Sequence, residues 1–250
     1  MDEAAVRHYT SGIERDRLVR GGDALELVRT LELLEPLLPP PPARILDVGG
    51  GPGVYAVRLA ASGYDVTLVD VHPLHVEQAR EHGTYDAVLG DARELDEPDE
   101  SADAVLLLGP LYHLTERDDR IRALAEARRV VRTGGLVAAV AISRYASLLD
   151  GSRRGYLADP RFVAIVERDL REGQHRNPDD VEDWFTTAYF HLPEELRDEA
   201  ETAGLTVERL VGVEGPANWF ETTREVALTA ARLAEELPAL SSHMLCLARR

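Results

Sequence analysis

The sequence contains no lysine and only one cysteine, and both absences limit what the chain can do. Cys246 has no second cysteine to pair with, so an internal disulfide and a cysteine-clustered metal site are both excluded. The 28 basic residues are therefore all arginines, and 45 acidic residues outnumber them to give a formal net charge of -17. A chain this acidic repels phosphate backbones and shows no local basic face, so we expect no nucleic-acid partner.

Long apolar runs are also missing. No stretch approaches the roughly 18 apolar residues that span a bilayer, and residues 1–20 are charged throughout, without the apolar core of a signal peptide. We therefore expect a cytoplasmic protein that has no membrane partner and is a monomer or homodimer. The 250 residues are enough for one domain that encloses a core and a pocket.

Short runs rich in Val, Ile and Leu alternate with helical patterns, which is typical of helices packed on a largely parallel sheet. The predicted strands are residues 44–48, 65–69, 87–89, 104–108, 136–142, 205–211 and 243–248. The predicted helices are residues 54–62, 73–82, 117–131, 193–203 and 222–236, and Thr133-Gly134-Gly135 is expected to terminate the third. The pattern predicts an α/β protein.

Two segments interrupt this alternation. The proline run at residues 39–42 cannot be helical, so it separates an N-terminal helical segment, residues 1–42, from a core at residues 43–142. Residues 143–190 are polar and aromatic with several glycine and proline breakers, which predicts short helices and loops rather than strands. We expect this segment to form a substrate cap and residues 191–250 to complete the core.

The most informative stretch follows the first strand and reads Asp47-Val48-Gly49-Gly50-Gly51-Pro52-Gly53. Glycines at a strand end let the backbone approach a ligand, and the next helix directs its N–H groups at that ligand. In a dinucleotide-binding GxGxxG loop the third glycine would stand at Val54. The Asp47 carboxylate would also repel a pyrophosphate and attract the ammonium of an amino-acid-like ligand, directly or through water. An NAD-dependent oxidoreductase is therefore the weaker alternative.

This stretch resembles motif I of the class I S-adenosylmethionine (SAM)-dependent methyltransferases, and residues 43–250 resemble the small-molecule, UbiE-like branch of that family. The resemblance implies a Rossmann-like seven-stranded sheet, mostly parallel, with helices on both faces and a helical cap after strand five. The last strand would be antiparallel and inserted between strands five and six. The resemblance also implies SAM as the cofactor.

The resemblance assigns the cofactor contacts by position. Asp70 would accept hydrogen bonds from the ribose hydroxyls, although an Asp before Pro73 also suits a helix N-cap. Asp91 and Ala92 would meet the adenine, although Gly-Asp is also common in turns. With the N-terminal helix reaching over the cofactor's carboxylate, the expected contacts are Tyr9, Arg17, Asp47, Gly49, Gly50, Gly51, Asp70, Val71, Asp91, Ala92 and Leu108.

His113 is the candidate general base, because it would stand at the carboxyl end of strand four, where ligands bind in such sheets. The alternative is that His113 only shapes the cofactor pocket. The expected substrate contacts are Tyr112, His113, Trp184, Tyr189 and His191, although the cap's aromatic side chains would equally form a small core. No tight group of metal ligands is evident in the sequence, so we expect no metal.

The function predicted is methyl transfer to a nitrogen or oxygen atom of a small molecule. A catalytically silent SAM-binding partner subunit would carry the same motifs and is the alternative from another class. An RNA methyltransferase is disfavoured by the net charge.

Overall fold

Nine strands form one sheet in the part of the chain that the computed structural model describes, residues 23–220 and 222–250. They are β1 Arg44–Val48, β2 Asp65–Asp70, β3 Asp86–Leu89, β4 Ala102–Leu107, β5 Val131–Ser143, β6 Gln174–His175, β7 Ala188–His191, β8 Thr206–Gly212 and β9 His243–Arg249. The helices are α1 Asp23–Leu34, α2 Val54–Ala61, α3 Pro73–Arg80, α4 Arg117–Val130, α5 Ala146–Arg154, α6 Pro160–Glu172, α7 Pro193–Thr202 and α8 Arg224–Leu233. None of these helices is both long and apolar enough to cross a membrane.

The seven predicted strands have the predicted topology, and two further strands, β6 and β7, bring the sheet to nine strands in the described residues. Strands β3, β2, β1, β4 and β5 lie side by side in that order and are parallel. Strand β9 runs antiparallel between β5 and β8, as expected for the last strand of the family. The Rossmann-like α/β fold is confirmed, and the carboxyl ends of β1 to β5 meet at one edge.

Strands β6 and β7 correct the expectation that residues 143–190 contain no sheet. Strand β7 pairs in parallel with Ile142 and Ser143 at the end of β5, and β6 pairs antiparallel with β7. The pairing of β4 with β5 stops at Leu107 and Ala139, before the residues of β5 that pair with β7. These pairings involve only two residues each, too few for an alternating pattern to reveal them.

Both faces of the sheet are buried, which is why its strands have nearly continuous apolar runs. Alternate residues of β1 belong to different clusters: Ile45 packs into one core cluster and Leu46 into the other. The same alternation separates Leu106 from Val105 on β4. Helices therefore cover the sheet on two sides, and the carboxyl edge is left for a ligand.

The glycines after α4 do not cap that helix, contrary to the sequence-based expectation. Helix α4 ends at Val130, and Val131 is already extended as the first residue of β5. Gly134 has φ 79°, and a Cβ on Gly135 would lie 2.8 Å from the carbonyl oxygen of Asp103. The β4–β5 register shifts between Ala102 and Ala104. The glycines therefore allow an irregular, closely packed strand start.

Candidate functional site

A cleft opens at the carboxyl edge of the sheet, above the ends of β1 to β4. It holds about 1070 Å³ of empty space when its open mouth is counted. The strand order reverses between β1 and β4, the position at which open α/β sheets bind ligands. The predicted residues that line the cleft are Gly49, Gly50, Gly51, Asp70, Val71, Asp91, Ala92, Leu108, Tyr112 and His113.

The glycine loop presents bare backbone to the cleft. Gly51 has φ 57°, and a Cβ added there would project into open space with no atom within 4 Å. Gly49 has φ 70°, and a Cβ there would lie 2.8 Å from Cδ of Pro110. The loops after β1 and β4 therefore touch each other at Gly49, while Gly51 leaves a ligand-facing cradle.

Asp70 joins the ends of β1 and β2. Its Oδ2 accepts the Gly51 N–H at 2.9 Å, and its Oδ1 accepts the His72 N–H at 2.8 Å and lies 3.2 Å from Nδ1 of His75. A carboxylate offers about four lone-pair positions, so capacity remains for a ligand hydroxyl. The N-cap residue of α3 is His72, not Asp70. The side chain of Asp70 thus orders the glycine loop and also lines the cleft.

Asp91 lines the cleft after β3 and is paired with Arg93. Its Oδ1 accepts the Arg93 N–H at 2.9 Å, and its Oδ2 accepts a guanidinium N–H at 2.7 Å. The hydrogen bonds from Arg93 lower the pKa of Asp91, so the carboxylate is charged at neutral pH. Asp91 therefore makes the turn contact that is common for a Gly-Asp pair. Its carboxylate can still accept a hydrogen bond from an adenine amine.

Asp47 does not line the cleft. Its side chain is fully buried beneath the glycine loop, and Oδ2 lies 2.7 Å from where a Cβ of Gly50 would be. Burial, together with the charge of Asp70, raises the pKa of Asp47 to about 7, although the Ala56 N–H opposes the shift. Its contact with the cofactor's ammonium stays a prediction.

Tyr112 and His113 lie together on a short 3-10 turn that follows β4, residues Leu111–His113. Their ring centroids are 4.6 Å apart with the planes inclined by 63°. Both side chains line the cleft, as predicted. Of the five predicted substrate contacts, Tyr112 and His113 are the two that line the cleft.

Trp184 lies elsewhere, in the small core of the cap. It packs with Phe162, Ile165 and Val166, and its ring centroid is 5.2 Å from that of Phe162. The expectation that Trp184 faces the substrate is therefore not supported, since apolar contacts within the cap already bury it. The alternative interpretation, a cap core, holds for this residue.

Tyr189 and His191 are likewise away from the cleft. His191 is fully buried and donates through Nε2 to Oε2 of Glu199 at 3.2 Å. The Tyr189 ring lies 3.6 Å beneath the guanidinium carbon of Arg120. Burial lowers the pKa of His191, although Glu199 opposes this. Both residues of β7 belong to a buried polar network rather than to a substrate surface.

Other residues line the cleft without having been anticipated. His72 and His75 follow Asp70 at the start of α3, and burial lowers the pKa of His72. Their position two and five residues after Asp70 is a signal that the sequence did contain. Glu26, on α1, also lines the cleft and carries no local motif. The predicted contacts Tyr9 and Arg17 lie outside the described residues.

Separated residues also converge into a group that the sequence did not reveal. Glu26, Glu214 and His243 each offer an atom that could bind a metal ion, and these three atoms lie within 4.8 Å of one another. Oε2 of Glu214 accepts from Ser241 Oγ at 2.7 Å and from the His243 N–H at 3.0 Å, and Oε1 contacts His243 Nδ1. Burial raises the pKa of Glu214, but His243 outweighs this effect and lowers it. Protein hydrogen bonds thus already stabilise this group.

Comparison with known proteins agrees with this geometry. A family model described as a methyltransferase domain matches residues 45–135. The ubiquinone biosynthesis O-methyltransferase of Xanthomonas axonopodis pv. citri is 30% identical over 196 residues, which cover 76% of this chain and 73% of that protein. An uncharacterized methyltransferase of Mycobacterium tuberculosis is 41% identical over 106 residues, and this match spans only 42% of either chain.

Solved structures show the same fold. A possible histamine N-methyltransferase from Thermotoga maritima has a TM-score of 0.61 at 21% identity, with 98% of both chains covered. A SAM-dependent methyltransferase from Methanosarcina mazei has a TM-score of 0.64 at 18% identity, covering 87% of this chain and 96% of that one.

The chain belongs to the class I SAM-dependent methyltransferases of the UbiE-like kind. SAM is the cofactor of this family, which sets aside the NAD-dependent oxidoreductase. The residues present fit this cofactor: Gly51 leaves the cradle that a Cβ would fill, and Asp70 and Asp91 place acceptors at successive strand ends.

Proposed function

We propose that this chain methylates a nitrogen or oxygen atom of a small molecule and that His113 receives the proton which the acceptor loses. The observation that supports this role is the position of His113, which lines the cleft on the turn directly after β4. It is accompanied there by Tyr112 and Leu108, an apolar surrounding suited to an uncharged acceptor.

The SAM sulfonium supplies an already activated methyl group, so the protein's main contribution is to hold the acceptor in line with it. Such positioning contributes about 7–11 kcal/mol. Held by the glycine loop, Asp70 and Asp91, SAM would supply the methyl carbon to the acceptor's lone pair, and its sulfur would keep the electron pair of the S–C bond. A hydroxyl acceptor also gives up a proton, which a ring nitrogen of His113 takes, whereas a neutral amine can release its proton afterwards.

The cofactor contacts follow the strand ends. We propose that Asp70 accepts from the ribose hydroxyls, that Asp91 and the Ala92 N–H hold the adenine, and that Asp47 acts on the ammonium from beneath the loop. Val71 and Leu108 provide apolar contact with the bound cofactor. Residues 143–190 form the cap on the acceptor side, and the protein acts as a monomer or homodimer without nucleic acid.

The names of two relatives favour an oxygen acceptor. One is the ubiquinone biosynthesis O-methyltransferase, and the other is the 27-O-demethylrifamycin SV methyltransferase of Amycolatopsis mediterranei, 37% identical over 103 residues. A carbon acceptor is the second candidate, since the UbiE C-methyltransferase of Acidiphilium cryptum is 35% identical over 179 residues.

The test is a screen for S-adenosylhomocysteine (SAH) formation over phenols, alcohols, amines and carboxylates, with activated-carbon acceptors as a separate arm. The site of methylation is read by mass spectrometry. Turnover only with carbon acceptors would refute the N/O assignment.

The His113→Asn variant tests the base once an acceptor is known. We expect a rate loss of about 10²–10⁴-fold with a hydroxyl acceptor and unchanged SAH affinity. His82→Asn, an exposed histidine outside the cleft, is the control. Equal losses of rate and SAH affinity in His113→Asn would make His113 a cofactor contact instead.

A further inference from the structure

Arg93 lines the cleft beside Asp91 and binds it through a fork of hydrogen bonds. Nε of Arg93 donates to Oδ1 of Asp91 at 3.0 Å, and Nη2 donates to Oδ2 at 2.7 Å. The backbone N–H of Arg93 donates to the same Oδ1 at 2.9 Å. A bidentate pair of this kind fixes the orientation of a carboxylate as well as its charge. Arg93 therefore sets the orientation of the Asp91 side chain.

These bonds limit what Asp91 can still accept. A carboxylate has about four lone-pair positions, and the bonds from Arg93 occupy both positions on Oδ1 and one on Oδ2. The position that is left, on Oδ2, matches one N–H of a primary amine. A ligand with an oxygen at that point would set a second acceptor against the carboxylate, which is unfavourable because neither group can donate.

Arg93 is itself held by helix α4. Its Nη1 donates at 2.8 Å to Oδ2 of Asp119, which lies in the first turn of α4. This helix begins shortly after the turn that carries His113. Asp91, Arg93 and Asp119 thus form a continuous series of charge pairs from the loop after β3 to α4.

Other contacts hold the rest of the loop after β3 to α4. Glu126 accepts the Leu95 N–H at 2.9 Å, and Arg129 donates to the Leu95 carbonyl at 2.8 Å. Neither contact involves Arg93. The loop should therefore keep its course when the Arg93 side chain is removed, and the effect of the removal should stay local to Asp91.

We propose that Arg93 is a positioning residue of the cofactor site, which holds Asp91 as an acceptor for the 6-amino group of the cofactor's base and thereby makes the site reject a base with a 6-oxo group. The inference rests on the proposed function, because it takes Asp91 as the adenine contact. Arg93 acts through Asp91 and not on the reacting atoms. Lysine would supply the charge of Arg93 without its fork, since an ammonium is a single point charge.

The test compares calorimetric titrations of SAH and S-inosylhomocysteine, in which a 6-oxo group replaces the 6-amino group of the base. We expect the wild type to bind SAH more tightly by roughly tenfold or more. Arg93→Ala should reduce this preference by about threefold or more, and Arg93→Lys should retain part of it. A merely structural role would weaken both ligands equally and leave their ratio unchanged.

Arg122→Ala is the matched control. Arg122 of α4 pairs with Glu94 of the same loop, but its side chain is 61% exposed, the pair is 3.9 Å apart, and neither residue lines the cleft. Its removal should leave both affinities within about twofold. Thermal unfolding of the ligand-free variants checks that each is folded.

Asp91→Asn separates the inference from the proposed function. Its amide can donate to a 6-oxo group, so this variant should lose or reverse the preference for SAH. If Asp91→Asn loses the preference and Arg93→Ala keeps it, the role of Arg93 is overturned while the adenine contact of Asp91 stands. If Asp91→Asn also keeps the preference, the proposed adenine contact fails and the inference fails with it.

Discussion

The guanidinium carbon of Arg120 lies 3.6 Å from the centre of the Tyr189 ring, and both residues are buried. Arg120 belongs to α4, and its Nε and Nη2 donate to Glu199 of α7 at distances of 2.6 to 3.1 Å. Its Nη1 donates to the carbonyls of Leu114 and Thr115 at 2.9 Å. One arginine therefore links the chain just after the turn that carries His113 to Tyr189 of β7 and to helix α7.

Glu199→Ala tests how strongly this network stabilises the fold. Burial raises the pKa of Glu199, but hydrogen bonds from His191 and Arg120 outweigh it and keep the carboxylate charged. Its removal leaves the Arg120 charge buried without a counterion, which costs about 3–5 kcal/mol. Urea unfolding should show this loss.

The neighbouring pair provides the control. Arg117 and Asp198 form an ion pair whose side chains are 49% and 67% exposed. Asp198→Ala should therefore cost less than about 1 kcal/mol. Equal costs for the two variants would show that burial of the Arg120 network contributes nothing.

Asp70→Ala tests the cofactor site. Loss of a charged acceptor should weaken SAH binding by about 1.5–3 kcal/mol, and the Gly51 N–H also loses its partner. Calorimetric titration with SAH gives the difference directly. Asp65→Ala, exposed at the opposite end of the same strand, is the control. Unchanged affinity in Asp70→Ala would remove this residue from the site.

The sequence predicts the sheet and the cofactor side of the cleft because both depend on local patterns. Strands β1, β2 and β4 are buried apolar runs, and Gly51, Asp70 and Asp91 follow strand ends whose positions the parallel topology brings together. The antiparallel β9 was anticipated only through resemblance, since its own residues do not specify a direction.

The acceptor side could not be predicted in the same way. Trp184, Tyr189 and His191 have the chemistry of substrate contacts, but side chains of other elements bury them. Glu199 of α7 pairs with His191, Arg120 of α4 covers the Tyr189 ring, and Phe162 of α6 packs on Trp184. The Phe185 carbonyl accepts a hydrogen bond from the side-chain amide of Asn177, which no periodic pattern links to it. Tertiary contacts therefore decide which aromatic residues reach the cleft.

Gly51→Ala distinguishes blocking of the cradle from backbone strain. Alanine at φ 57° should destabilise the fold by about 1 kcal/mol, and its Cβ would also enter the space that the cofactor needs. We expect SAH affinity to fall at least about tenfold. Gly83→Ala is the matched control, because Gly83 has φ 64°, no atom within 4 Å of its Cβ position, and no contact with the cleft. It should lose similar stability but keep its SAH affinity.

Asp47 predicts a pH dependence of stability. Its pKa is raised from 3.8 to about 7 in the folded protein, because burial and the charge of Asp70 disfavour ionisation. A carboxyl whose folded pKa lies above its unfolded value stabilises the fold fully below the unfolded pKa. That stability is lost as the pH rises towards the folded pKa, by at most about 1.4 kcal/mol per pH unit.

Asp47→Asn mimics the protonated carboxyl at every pH and makes this loss measurable. We expect the free energy of unfolding of the variant, relative to wild type, to rise between about pH 4 and pH 7 and then to level off, in urea titrations without cofactor. Asp65→Asn, exposed on β2, should follow the wild type over the same range. A constant difference between Asp47→Asn and wild type would mean that Asp47 ionises in the folded protein as it does in the unfolded chain.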